Sequence, residues 1–256
     1  MADRAHRTVL AIDTATDTVV TGVARLDPGD PASPVDVLAE RSVADGRRHA
    51  EILTTLIAET LTEAGVRRDE IDAVVVGTGP GPFTGLRVGM ATGAGFADAL
   101  DIPAFGVCSL DAIAVDARRV GDVAPDATVL VATDARRREV YWNVYGPGAP
   151  GAEGAAQEHA AAAGAGPRVA APAAVAAELG ALRIDVVGGS AVHLRQIGWD
   201  GDDPAVTVPS VAGLVGAARP VLAADDGTVP PPLMPLYLRR PDAVERRDQR
   251  ATAVIR

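Results

Sequence analysis

Three strand-like runs stand together at the head of the chain before any helical period begins. Thr8 to Ile12, Thr18 to Leu26 and Val35 to Val43 are rich in Val and Leu and are separated by Asp, Pro and Gly, so they read as an antiparallel meander. From Arg47 to Ala64 the period becomes helical, with Ile52, Leu53, Leu56, Ile57, Thr60 and Leu61 on one wide stripe and Gly65 as the stop. Asp72 to Gly77 is a short apolar run suited to a buried parallel strand, a Gly/Pro loop follows, and Gly85 to Leu100 reads as a second helix. Ala104 to Val107 makes a fifth strand, and Ser109 can cap a helix to about Ala117. The order is β-β-β-α-β-α-β-α.

A strand, acidic turn and strand recur from Thr128. Aligning VLAIDTATDTVVTGVA with VLVATDARRREVYWNV sets Asp13 against Asp134, which suggests duplicated domains. Gly146 to Ala177 is mostly Ala, Gly and Pro and reads as a mobile insertion without chemistry. Pro172 to Leu182 looks helical, Ile184 to Val187 strand-like and Ser190 to Gln196 a helix start, with Ser210 capping a last helix. The expected domains are residues 1–107, 108–209 with the insertion 146–177, and 210–256, a helix and basic tail packing back on the first domain. A length of 256 residues suits two such units.

Composition removes several chemistries. All 24 residues of the Lys+Arg class are arginine, so the Walker P-loop, Schiff-base enzymes and Ser-x-x-Lys hydrolases are excluded. The single cysteine, Cys108, excludes an internal disulfide and multi-cysteine metal sites; its apolar setting suggests an inert buried thiol and its solitude suits a reducing cytosol. His6, His49, His159 and His193 are scattered, which argues against a catalytic zinc. The net charge of −10 opposes a nucleic-acid binder acting alone. With no apolar run of membrane length and no signal-like stretch at Met-Ala-Asp-Arg, a cytoplasmic protein is expected.

The most informative segment is Gly77 to Arg87, GTGPGPFTGLR, between a buried strand and a helix. Its glycines allow a sharp turn, a partner surface or, without a lysine, a less favoured phosphate cradle involving Gly79, Gly81 and Thr84. The following helix repeats small residues at Gly85, Gly89, Gly93 and Ala97, a stripe that lets another helix come close or packs inside its own domain. Asp13, Thr14 and Thr16 at the first strand end match positions that hold metal and phosphate in actin-like folds, and Gly188 and Gly189 read equally as an adenosine contact of such folds or as a plain strand-to-helix turn. No glycine lies between Asp13 and Val19, so phosphate approach is compromised and an ordinary Asp/Thr turn is the better reading. His49 reads as an exposed helix-start histidine, with no nucleophile beside it by motif.

Taken together, LAIDTATDTVVTGVA, RRHAEILTTLIAETL and IDAVVVGTGPGPFTGLRVGMATGAGFADALDIPAFGVCSLDAIA resemble the TsaB (YeaZ) family, strongly over residues 8 to about 116 and weakly through TDARRREVYW and PLYLRR. The resemblance implies tandem ribonuclease H-like (actin/hexokinase/Hsp70-type) domains with mixed five-stranded sheets. It further implies a non-catalytic subunit of the machinery that forms threonylcarbamoyladenosine beside the anticodon of tRNAs. The partners so implied are a TsaD-like transferase, a TsaE-like ATPase through the complex, tRNA only indirectly, and a second copy in a homodimer. No cofactor, metal or membrane is expected. Pro82 where serine is usual, the first turn and the long insertion depart from the family pattern. The association surface is placed on the helix pair, at His49, Leu53, Leu56, Ile57, Arg87 and Met90, against the simpler reading that all but His49 and Arg87 are core. A glycoprotease-like peptidase and a degenerate small-molecule kinase are the enzyme alternatives.

Overall fold

The computed structural model describes residues 6–44, 49–124, 126–146 and 166–239, with His49 and Ala50 described by backbone alone. Two sheets carry the architecture. In the first, β1 (Arg7–Asp13), β2 (Thr18–Leu26) and β3 (Asp36–Ala44) form the antiparallel meander, with Val9 opposite Ala24 and Asp13 opposite Val20. β4 (Ala73–Gly77) lies parallel to β1, and β5 (Ala104–Val107) parallel to β4, giving the order β3-β2-β1-β4-β5. This is the five-stranded mixed sheet expected from the sequence.

Both faces of that sheet are covered, which is why Val9–Ile12 of β1 and the whole of β4 are apolar and buried. Side chains of alternate parity take opposite faces. Leu10, Ile12, Val74 and Val76 share a core with α1 (His49–Ala64) and α2 (Phe83–Leu100). Val9, Ala11, Ala73 and Val75 share the other core with α6 (Val211–Ala223), the last helix in the chain. Three oxygens meet the N-terminus of α6: Ser210 Oγ accepts from Gly213 N–H at 3.1 Å, Glu40 Oε2 from Val211 N–H at 3.0 Å, and Asp116 Oδ2 from Ser210 N–H at 3.1 Å. The carboxylates satisfy donors that the helix cannot pair itself and complement its positive end.

The second sheet has the order β8-β7-β6-β9, from β6 (Val129–Asp134), β7 (Val140–Tyr145), β8 (Arg168–Ala170) and β9 (Val186–Gly189). α3 (Ser109–Val120) covers one face, and α4 (Pro172–Leu179) and α5 (Ala191–Ile197) the other. The expectation of a second five-stranded sheet is corrected here, since four strands are present among the described residues. After α5 the short run Ala205–Val208 passes beside β9, its Val206 carbonyl accepting from Gly189 N–H at 2.8 Å without forming a ladder, and the chain then returns to the first sheet as α6. The insertion expected at 146–177 is also shorter than read. β8 and most of α4 fall inside it, Arg168 stacking 3.9 Å above the ring of Trp142, while 147–165 lie outside the described residues. The basic tail beyond Arg239 lies outside them as well.

Candidate functional site

β1 ends at Asp13, where the turn to β2 meets the Gly77–Arg87 segment leaving β4. Asp13 is 0 % exposed. Its Oδ1 accepts from Ala15 N–H at 2.8 Å and its Oδ2 from Ser109 O–H at 2.5 Å, while Ser109 Oγ in turn accepts from Gly79 N–H at 3.3 Å. Burial pushes the Asp13 carboxyl up to about 6, against the lowering effect of the hydrogen bonds from Ser109 and Ala15. Both carboxylate oxygens are thus engaged inside the protein.

Neighbouring glycines are filled from the same turn. A Cβ at Gly77 would stand 1.8 Å from Asp13 Oδ2, one at Gly81 2.0 Å from the Ala15 carbonyl oxygen, and one at Gly89 2.3 Å from Thr14 Oγ1. Thr14 O–H donates to the Gly85 carbonyl at 2.8 Å, and Gly93 faces Val76 Cγ2 at 2.4 Å from where its Cβ would be. The small-residue stripe of α2 therefore faces the β1–β2 turn and the sheet, and the reading of it as a close helix–helix seam is corrected. Thr16 bonds within its own turn to Thr18, and Thr84 is exposed on the first turn of α2. Gly79, with φ +96°, is part of the same loop. Gly188 and Gly189 are placed apart, in the second sheet, where Gly188 lets Ile113 of α3 come close and Gly189, with φ +100°, lies against the Ala132 carbonyl.

The helix-pair candidates separate by burial. Leu53, Leu56, Ile57 and Met90 lie in the core with Leu10 and Ile12, Leu53 being 0 % exposed, so they support the pair from beneath and present nothing outward. Direct partner contact by these four is corrected, because α1 spans β2 and β3 and lies beside α2, a larger area than one strand pair would need. Arg87 is exposed; the side chain of His49 lies outside the described residues. The outward faces are Thr54, Thr55, Ala58 and Thr62 on α1 and Arg87, Ala91, Ala94 and Gly95 on α2. On α1, Glu59 and Glu63 pair with Arg41 of β3 at 3.4 and 3.0 Å.

Two features escaped sequence reading. The extended stretch Leu233–Arg239 crosses the Gly-rich loop: Leu236 N–H donates to the Thr78 carbonyl at 2.9 Å, and Tyr237 stacks on Phe83 with centroids 4.9 Å apart. Arg87 covers the Phe83 ring at 3.8 Å and donates from Nε to the Tyr237 hydroxyl at 2.9 Å. The other feature is a bridge between the two acidic turns, Arg136 donating to Asp17 at 2.6 Å and to Asp134 at 2.8 Å, with His193 Nε2 3.6 Å from Asp134. Asp13 and Asp134 end the first strands of their respective sheets, as the aligned repeat requires. Burial pushes the Cys108 thiol well above its ordinary range, with Asp111 adding to the rise. Among the described residues no group of three or more His, Cys, Asp or Glu is arranged to hold a metal, and no helix is long and apolar enough to cross a membrane.

Comparison with known proteins agrees with this geometry. Residues 39–176 match the family model for TsaD, the tRNA N6-adenosine threonylcarbamoyltransferase. An uncharacterised protein of Mycobacterium tuberculosis is 44% identical over 92% of this chain and 93% of its own. The tRNA threonylcarbamoyladenosine biosynthesis protein TsaB of Escherichia coli is 34% identical over 54% of each chain. The solved structure of YeaZ from Pseudomonas aeruginosa superposes with a TM-score of 0.63 at 26% identity, over 91% of this chain and 100% of that one. On these similarities the chain belongs to the TsaB (YeaZ) family, within the wider family that the transferase model describes.

Proposed function

We propose that this chain acts in the formation of threonylcarbamoyladenosine in tRNA as a non-catalytic cytoplasmic subunit that docks on a TsaD-like transferase. The observation that carries this reading is the closed turn after β1. A catalytic or nucleotide-binding site at this position would need Asp13 and its neighbouring backbone to face a ligand, but both Asp13 oxygens are taken by Ala15 and Ser109. Gly81 is occupied by the Ala15 carbonyl and Gly89 by Thr14, so the glycines serve internal packing rather than phosphate approach. The same closure argues against the kinase alternative, and no observation favours a peptidase. A TsaE-like ATPase and the tRNA substrate meet the chain within the assembly.

The outward faces of α1 and α2 supply the docking surface. They present Thr, Ala and Gly between the charges of Glu51, Arg87, Asp98 and the paired Glu59 and Glu63, small side chains that let a partner helix or a second copy pack closely. Arginine at Ala58 or Ala94 tests this without disturbing the core, since both positions are exposed. Each variant should keep the wild-type circular dichroism and thermal midpoint while association with the TsaD-like subunit, followed by calorimetry, weakens roughly tenfold or more. Two folded variants that bind as wild type does would remove α1 and α2 as the docking surface. Leu53→Glu, by contrast, buries a charge at a fully enclosed site and reports on folding alone.

A further inference from the structure

Phe83 opens α2 on its exposed face, Arg87 follows one turn later, and Ala91, Ala94 and Asp98 continue the same stripe. Tyr237 stacks on the Phe83 ring with centroids 4.9 Å apart, while the Arg87 guanidinium covers that ring at 3.8 Å and donates from Nε to the Tyr237 hydroxyl at 2.9 Å. The stretch that brings Tyr237 here is anchored on both sides. Leu233 packs against the core that α1 and α2 share with the first sheet, and Leu236 and Leu238 pack against the core of the second sheet. The rings themselves stay open to water, Phe83 being 42 % and Tyr237 39 % exposed, and Met234 on the same stretch is 71 % exposed. Large apolar side chains left open together mark a contact surface. Arg87 adds a charge to it. Arg41, Arg119 and Arg239 each pair with a carboxylate, whereas no carboxylate stands within ion-pair distance of Arg87 among the described residues. It is also the one cation on the described outward faces of α1 and α2.

We propose that Phe83, Arg87 and Tyr237 anchor the docking surface, and that the TsaD-like subunit brings to them an acidic side chain, set on Arg87, beside an apolar one, set on the two rings. The stack already holds the guanidinium in place, so an incoming carboxylate meets a positioned fork and little further side-chain freedom is lost. Covering the rings also removes water from around the ion pair, which strengthens it. Next to the cluster, Ala91, Ala94 and Gly95 let the partner close down without clash, and aromatic and arginine anchors amid such near-neutral contacts are the composition of an interface hot spot. The cluster stands at the first turn of α2, one end of the docking surface. A two-fold contact between copies through the small middle of the helix leaves it at the rim, whereas an unlike partner is free to centre on it. This inference rests on the proposed docking to the transferase subunit and adds to it the chemistry the partner must present.

The test measures association with the TsaD-like subunit by calorimetry, at several salt concentrations, for wild type, Arg87→Met, Arg87→Glu and Tyr237→Leu. Methionine keeps an unbranched chain over the Phe83 ring and removes the charge. Arg87→Met should hold the wild-type thermal midpoint and bind roughly tenfold more weakly, with an affinity that changes less with salt. Arg87→Glu should bind roughly tenfold more weakly again, since like charges then face each other. Tyr237→Leu, which leaves the charge but not the ring that positions it, should lose roughly threefold or more. An Arg87→Glu variant that binds no worse than Arg87→Met overturns the proposal, because no carboxylate then faces the position. Wild-type affinity in Arg87→Met or in Tyr237→Leu overturns it too, as does a lowered thermal midpoint in Arg87→Met, which makes the stack structural. Loss of self-association with transferase binding unchanged assigns the cluster to a second copy and likewise overturns it. If the wild-type chain does not associate with the subunit at all, the functional reading fails and this inference with it. If Ala94→Arg weakens association and the Arg87 and Tyr237 variants do not, the docking surface stands and this inference alone fails.

Discussion

Replacing Asp13 by Asn tests whether the turn after β1 is a closed structural element. The rise of the Asp13 carboxyl from its ordinary 3.8 to about 6 corresponds to about 3 kcal/mol at about 1.4 kcal/mol per pH unit. The sign follows from which state holds the proton. Between those two values the folded protein binds more protons than the unfolded chain, so the Asp13 contribution is fully present below about pH 4 and is lost as pH rises through about 6. Asn keeps an acceptor for Ala15 N–H and offers an N–H to Ser109 Oγ, while nothing at the position titrates. Urea unfolding at a series of pH values gives the stability difference between the two proteins, and in that difference other titrating groups cancel, including Glu40, which burial also raises. Relative to wild type, Asp13→Asn should gain about 3 kcal/mol between pH 4 and pH 7.5, most of it before pH 7. A difference that stays flat over that range refutes the closed-turn argument, because a carboxylate open to water would titrate near its ordinary value in both states.

The same closure predicts two further outcomes. Gly81→Ala drives a Cβ against the Ala15 carbonyl and should lower stability by about 1 to 3 kcal/mol, read as a lower urea midpoint with an unchanged slope. Titration of ATP or ADP into the isolated chain should give no calorimetric binding in the micromolar range, and a clear isotherm there would reinstate the kinase reading.

Much of the fold was legible because hydrophobic periodicity reports which faces are covered. The meander, the parallel strands β4 and β5 and the helices α1, α2 and α3 follow from period and punctuation alone. What period does not report is the identity of the cover. The apolar stripe of α1 looked wider than one sheet face requires, yet α1 rests on β2 and β3 and lies beside α2, so Leu53, Leu56 and Ile57 are all consumed internally. The stretch Leu233–Arg239 was invisible for a related reason. The segment is too short to show a period, and its anchors, Leu236 and Leu238 against the core of the second sheet and Tyr237 on Phe83, depend on elements about a hundred or more residues away. The positive φ values at Arg136, Arg137 and Arg138 likewise leave no trace in composition, since arginine has no preference for that region and signals an ordinary polar turn.

The Gly-rich segment shows where the site itself became ambiguous. A glycine states only that something approaches the backbone closely; it does not say whether that is a phosphate, a partner or the chain itself. Here the answer lies in residues far away in sequence, because Thr14 and Ala15 stand where a ligand would have to enter. The missing glycine between Asp13 and Val19 and the many glycines between Gly77 and Gly93 are two sides of one packing arrangement, in which a turn bearing side chains fits a loop and helix without them. A ligand-binding version of this fold needs its backbone bare on the turn as well. The position of the side chains thus closes this turn to a ligand, and it is for this reason that the proposed docking surface is sought on the outward faces of α1 and α2.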